Sequence, residues 1–154
     1  MPVLWIVGLN VTGWLIVQIG LAWAFTRMPI QWFKTGPLFR WEWGGQVYDR
    51  IFHVRVWKRY LPDGAAWFPG GFAKRSLEKV MPDYLERFCR ETWRGELCHW
   101  AALACTPMFF LWNPDWADGI VTLYALLANG PCIVVQRFNR ARLQALMVRI
   151  CSRT

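Results

Sequence analysis

The chain has 154 residues, enough for one domain with a single core, and 55% of them are hydrophobic, with twelve tryptophans. Eighteen Lys and Arg against ten Asp and Glu give a formal charge of +8, which suits an anionic membrane surface, nucleic acid or a negatively charged small molecule. Five cysteines without a C-x-x-C pair, and only two histidines, argue against a disulfide framework or a structural zinc site; the thiols are expected to be buried and reduced, and no cofactor is expected.

The first apolar run, "VLWIVGLNVTGWLIVQIGLAWAF" from Val3 to Phe25, contains no ionisable side chain. It is long enough for an α-helix to cross a hydrocarbon core of about 30 Å. Asn10 and Gln18 lie about two turns apart on similar faces, suited to hydrogen bonds between helices or to lining a site. A cleaved secretory signal is the competing reading, because "AWA" at Ala22 to Ala24 fits a cleavage pattern. The missing basic amino-terminal region and the bulky Phe25 speak against it.

Residues 26–96 interleave Trp, Phe and Tyr with Arg and Lys, as side chains of the headgroup layer do. Short interfacial helices are expected, separated by "TGP", "LPDG" and "FPGG" turns. Within this segment "VRVWKRYLPDG" presents Arg55, Lys58 and Asp63 at one membrane face. The simpler reading of Asp63 is a turn residue bonded to local backbone. From Ala73 to His99 the pattern is helical with a restart at Pro82, and Glu86 can pair with Arg90 and Glu91 with Arg94.

The second apolar run, Leu97 to Trp112, is interrupted by Pro107, and the third, Gly119 to Val135, contains Pro131. "NPDWAD", Asn113 to Asp118, reads as the tight turn of a helical hairpin that crosses and returns. Every Lys and Arg falls between Arg27 and Arg94 or after Gln136. Basic residues mark the cytoplasmic side. The expectation is therefore an all-α, multi-pass protein of the cell membrane forming one membrane domain. Its spans would be 3–25, 97–112 and 119–135, with 26–96 and the basic tail 136–154 cytoplasmic and the amino terminus outside.

Glu96 and His99 stand one helical turn apart where the second run begins. A polar pair at that depth is costly unless it meets protein, water or substrate. Imidazole can take a hydroxyl proton near neutral pH, and a carboxylate can orient it. The alternative is structural: Glu96 pairs with a nearby Arg, and His99 holds a polar contact between helices. In "QRFNRARL", the donors Gln136, Arg137, Asn139, Arg140 and Arg142 either anchor the chain or bind a phosphate, carboxylate or sugar. There is no P-loop, G-x-S-x-G, H-E-x-x-H or Rossmann glycine pattern.

"WLIVQ", "VRVWKRYLPDG", "ETWRGELCHW" and "NGPCIVVQRFNRARL", in this order over nearly the whole chain, resemble the glycosyl-4,4'-diaponeurosporenoate acyltransferase family of carotenoid biosynthesis. The resemblance implies acylation of a sugar hydroxyl on a glycosylated carotenoid acid. It places Trp57, Lys58, Asp63, Glu96, His99, Trp100, Asn129, Gln136, Arg137, Asn139, Arg140 and Arg142 at motif positions, whereas His53 lies outside them. The expected enzyme is a membrane O-acyltransferase with His99, Glu96 and Asp63 catalytic. Arg55, Trp57, Lys58, Gln136, Arg137, Asn139, Arg140 and Arg142 would bind substrate, and Lys58, Arg137 or Arg140 would face the developing oxyanion. Its partners would be a fatty acyl donor (acyl-CoA or lipid), a glycolipid acceptor, membrane lipids and further copies of itself, with no nucleic acid. The alternatives are a non-catalytic lipid-binding membrane subunit and a membrane-embedded hydrolase or methyltransferase.

Overall fold

The computed structural model describes residues 2–61, 69, 72 and 81–152; Asp63 and the expected helical start at 73–80 lie outside them. All regular structure among the described residues is helical. Helix α1 spans Val3–Arg27, α2 Gln46–Phe52, α3 Val54–Trp57, α4 Pro82–Ala104 and α5 Asp115–Cys151. Short 3-10 helices lie at Ile30–Trp32, Arg40–Gly45, Lys58–Tyr60 and Thr106–Leu111.

The sequence explains the main boundaries. Helix α1 stops because Met28 precedes Pro29, which pushes it into extended backbone (ψ 135°). Helix α4 starts on Pro82, whose missing N–H costs nothing in a first turn, with Asp83 beside the positive end of the helix dipole. Pro107 then prevents α4 from continuing through the second apolar run. That run is a helix only to Ala104, and a turn at Cys105 leads into the 3-10 helix Thr106–Leu111. Helix α5 carries Asp115 and Asp118 in its first turn and continues through Pro131 into the basic tail. The turn expected over Asn113 to Asp118 therefore narrows to the residues before Asp115, and the third run and the tail form one element.

Cross-helix pairs give the packing directions. Asn10 of α1 bonds Asn113 at 2.9 Å, Trp14 packs with Phe109, Val121 and Ala125, and Gln18 bonds Asn129 at 3.2 Å. Residue numbers rise together, so α1 runs parallel to the first half of α5. Helix α4 runs the other way: Ala102 joins the Val121–Ala125 cluster, while Leu85, Phe88 and Cys89 pack with Leu143. Gln18 thus hydrogen-bonds between helices, whereas Asn10 reaches the turn that precedes α5. The pairs Glu86–Arg90 and Glu91–Arg94 form as the spacing predicts.

Two helices, Val3–Arg27 and Asp115–Cys151, are long and apolar enough to cross a membrane. Large apolar side chains face outward on α1 (Leu4, 87% exposed), on the 3-10 helix (Leu111, 83%) and on the first half of α5 (Leu127, 66%). Such a continuous belt is unfavourable in water, where burial is worth about 25 cal/mol per Å² of apolar surface. The belt suggests membrane association. At 37 residues, α5 is roughly 55 Å long at 1.5 Å per residue. That exceeds a hydrocarbon core of about 30 Å, so its basic end projects beyond the belt.

None of the five cysteines is in a disulfide. Cys89 alone is fully buried, and burial pushes its thiol up to about 12. Cys98, Cys105 and Cys132 are half-buried and Cys151 is exposed, so the expectation of buried thiols holds fully only for Cys89.

Candidate active site

Where α4 and α5 meet the segment between α1 and α2, two buried carboxylates face two guanidiniums. Glu96 on α4 lies 2.6 Å from Arg140 Nη2 and 3.2 Å from Arg137 Nη1, and the Trp100 indole donates to it at 3.3 Å. Glu42 accepts from Arg137 Nε and Nη2 at 3.2 and 3.1 Å, from the Tyr48 hydroxyl at 2.5 Å and from the Phe39 N–H at 2.7 Å. Both carboxylates are 1% exposed, as is Arg140. Buried charges persist only when paired and hydrogen-bonded, and here two of each sign meet. Burial, and next the bond to Glu42, push the Tyr48 hydroxyl up to about 12, so it remains a neutral donor.

Two glycines let the backbone come close enough for this layer to form. Gly36 has φ +78°, and a Cβ there would sit 2.9 Å from Arg140 Nε. Gly45 has φ +88°, and a Cβ would meet Arg142 Cγ at 2.9 Å. Both conformations favour glycine. Arg140 donates to the Pro37 carbonyl at 3.3 Å and stacks on Trp93, with its guanidinium carbon 5.0 Å from the ring centre. Arg137 lies over Phe39. The ion layer thereby clamps the segment between α1 and α2 onto α4 and α5.

A polar layer lies toward the apolar belt. Asn129, fully buried on α5, donates from Nδ2 to the Ala125 carbonyl at 3.0 Å. Its Oδ1 accepts from Gln18 at 3.2 Å and faces His99 Nδ1 at 3.0 Å. With both amide ends of Asn129 assigned by these partners, the shared oxygen requires His99 Nδ1 to carry the proton. The basic lone pair of the imidazole is then on Nε2. Asn129 does for the ring what a carboxylate often does, without adding charge.

A third group lies between α3 and the basic half of α5. Lys58 Nζ donates to Asn139 Oδ1 at 3.3 Å and stands 5.1 Å from the Phe138 ring centre. Arg142 is 5.4 Å from the same ring. Arg55 pairs with Asp49 at 3.0 Å, and the Trp57 indole donates to the Phe52 carbonyl at 2.6 Å. The side-chain oxygen of Gln136 is buried without a hydrogen-bond partner among the described residues.

The structure distributes the expected site residues over these three groups. Glu96 makes the contacts of its structural alternative, spending its oxygens on Arg137, Arg140 and Trp100, while the partner described for His99 is Asn129. The donors of Arg137 are committed to Glu42, Glu96 and Tyr48, and Arg140 is buried against Glu96 and Pro37. Lys58, Asn139 and Arg142 do come together, with Arg55 nearby. Sequence reasoning missed Glu42 and Tyr48; an acidic residue isolated among aromatics in "RWEWGGQVY" was the available signal. Among the described residues, no group of three His, Cys, Asp or Glu could hold a metal ion.

Among the described residues the fold is all-helical, with two helices long and apolar enough to cross a membrane, and a histidine-bearing polar layer sits beside a buried ion layer. Comparison with known proteins identifies the family. The sequence model of the glycosyl-4,4'-diaponeurosporenoate acyltransferases matches residues 29–149. Curated proteins of that name from Staphylococcus aureus strains USA300, NCTC 8325 / PS 47 and MRSA252 are each 35% identical over 138 residues, covering 87% of this chain and 83% of theirs. The chain belongs to this family and is an acyltransferase. No solved structure matches it.

Proposed function

We propose that the chain moves a fatty acyl group from acyl-CoA or a lipid donor to a sugar hydroxyl of an amphipathic glycolipid, a glycosylated carotenoid acid by analogy with its relatives' name. His99 is the general base. Its Nε2 takes the hydroxyl proton as the sugar oxygen attacks the donor carbonyl. When the tetrahedral adduct collapses, the bond to the leaving group breaks, and the imidazolium returns the proton to that group. The observation that supports this most is the 3.0 Å contact between Asn129 Oδ1 and His99 Nδ1, which sets the tautomer needed for a base at Nε2. Asn129 and Gln18 are positioning residues in this scheme.

Glu96, Arg137 and Arg140 act through position, holding the interfacial segment against the helix that carries His99. Lys58, Asn139, Arg142, Gln136, Arg55 and Trp57 face the polar parts of the substrates, and Asp63 is a second acid–base candidate. The chain lies in the cell membrane as one domain with its amino terminus outside. It crosses three times: through α1, through the end of α4 with the 3-10 helix Thr106–Leu111, and through the first half of α5. Contacts at the levels of both Asn10 and Gln18 support the second crossing, because the chain between Glu96 and Asn113 traverses the layer that separates them.

The test is reconstitution into liposomes with a glycolipid acceptor and a fatty acyl-CoA, followed by mass spectrometry of extracted lipids. A new ester on the sugar is expected. Release of free fatty acid without an acylated sugar would contradict the proposal.

A further inference from the structure

Lys58 and Arg142 make an unusual pairing: two cations share the ring of Phe138 at 5.1 and 5.4 Å. Among the described residues neither forms an ion pair with a carboxylate. The nearby carboxylate, Asp49, is already bound to Arg55 through its side chain at 3.0 Å and its backbone N–H at 3.2 Å. Lys58 is half-buried, and its neutral partner Asn139 orients the ammonium without offsetting its charge. Burial, then Arg142 and Arg55, lower the Lys58 pKa, as expected for a cation crowded by like charges. Elsewhere the chain places carboxylates against its buried guanidiniums, as at Glu42 and Glu96. Here, among the described residues, no carboxylate offsets half-buried Lys58 or exposed Arg142.

We propose that Lys58 and Arg142, with Arg55 at the rim and Asn139 orienting the lysine, form a binding site for a phosphate ester. The ammonium and the guanidinium, close enough for the charge of Arg142 to bear on Lys58, supply charged donors of the kind that recognise phosphate oxygens. The site lies on the basic half of α5, where that helix leaves the apolar belt, so the ligand's phosphate sits at the membrane face and its acyl chain lies among the apolar helices. Two sources share this chemistry: the nucleotide part of an acyl-CoA donor and the headgroup of an anionic phospholipid. The inference rests on the proposed acyl transfer for the ligand's identity, but not for the binding itself.

The experiment uses the full chain in phosphatidylcholine nanodiscs. Coenzyme A is titrated calorimetrically, and in a parallel arm retention of phosphatidylglycerol from mixed-lipid nanodiscs is measured by native mass spectrometry. If the source is the donor, coenzyme A binds, and Lys58→Gln and Arg142→Gln each weaken it about tenfold, the worth of one charge-assisted contact. Lys58→Arg retains most of the affinity. If the source is the lipid, coenzyme A does not bind and the same variants lose preferential retention of phosphatidylglycerol. A folded Lys58→Gln, Arg142→Gln double variant that matches wild type in both arms would overturn the proposal, as would a wild-type protein that binds neither. His99→Ala should bind the phosphate ligand with wild-type affinity, which separates failure of this site from failure of the catalytic assignment.

Discussion

Glu96→Gln preserves shape and removes one negative charge from the four-charge layer. Arg140 is 1% exposed, and its carboxylate contact is the 2.6 Å approach to Glu96, so the change leaves it with the Pro37 carbonyl. Removing one partner of a buried ion pair costs about 3–5 kcal/mol, because the remaining charge stays desolvated. The new amide oxygen can still accept from Trp100, recovering about 1 kcal/mol. A net loss of about 2–4 kcal/mol lowers the midpoint of unfolding by on the order of 10 °C for a chain of this size. Glu42→Gln should cost less, since Arg137 keeps Glu96 and its side chain is 19% exposed to solvent. Thermal unfolding in detergent, followed by tryptophan fluorescence, measures both variants, and activity is normalised to folded protein. Surviving Glu96→Gln molecules should retain most of their activity. A variant that unfolds at the wild-type temperature but has lost turnover would refute the structural role and return Glu96 to the chemistry.

Asn129→Leu removes the oxygen that faces His99 Nδ1 at 3.0 Å, so ester formation per folded molecule should fall about tenfold, the worth of one hydrogen bond, and an unchanged rate would remove Asn129 from the mechanism. A single cysteine at Asn113 in an otherwise cysteine-free chain should react with impermeant reagent only from outside the cell, and labelling from the cytoplasmic side alone would reverse the topology. The Tyr48 hydroxyl is held neutral to about pH 12 against an ordinary value of 10, so its contribution to stability is complete below pH 10 and lost as pH rises through 12. Wild type should therefore lose stability more steeply across that window than Tyr48→Phe, and equal slopes would refute the assignment.

Much of the helical architecture was legible because apolar runs and helical pair spacings are one-dimensional signals. The first run became α1, the pairs Glu86–Arg90 and Glu91–Arg94 formed, Gln18 found a partner on another helix, and Asn10 found one in the turn before α5. Proline positions were visible, but their consequences differed. Pro107 ended α4 early, whereas Pro131 was absorbed into α5, where the carbonyl of exposed Leu127 loses its usual N–H partner while the helix continues. Sequence distance hid the site itself. Glu96 and His99 share a helix turn, but partners from elsewhere in the chain decide their roles: Arg137 and Arg140 take the carboxylate, and Asn129 takes the ring. Glu42 carried no periodic signal, and its function depends on an arginine 95 positions away.

The role of His99 as the base for acyl transfer rests on the 3.0 Å contact of its Nδ1 with Asn129. Its most direct test is the rate of ester formation per folded molecule for His99→Ala in nanodiscs, with glycolipid acceptor and acyl donor at saturation. A well-folded protein is expected whose rate is lower by roughly two to four orders of magnitude, the usual worth of general-base catalysis. A folded His99→Ala protein that forms the ester at the wild-type rate would contradict it.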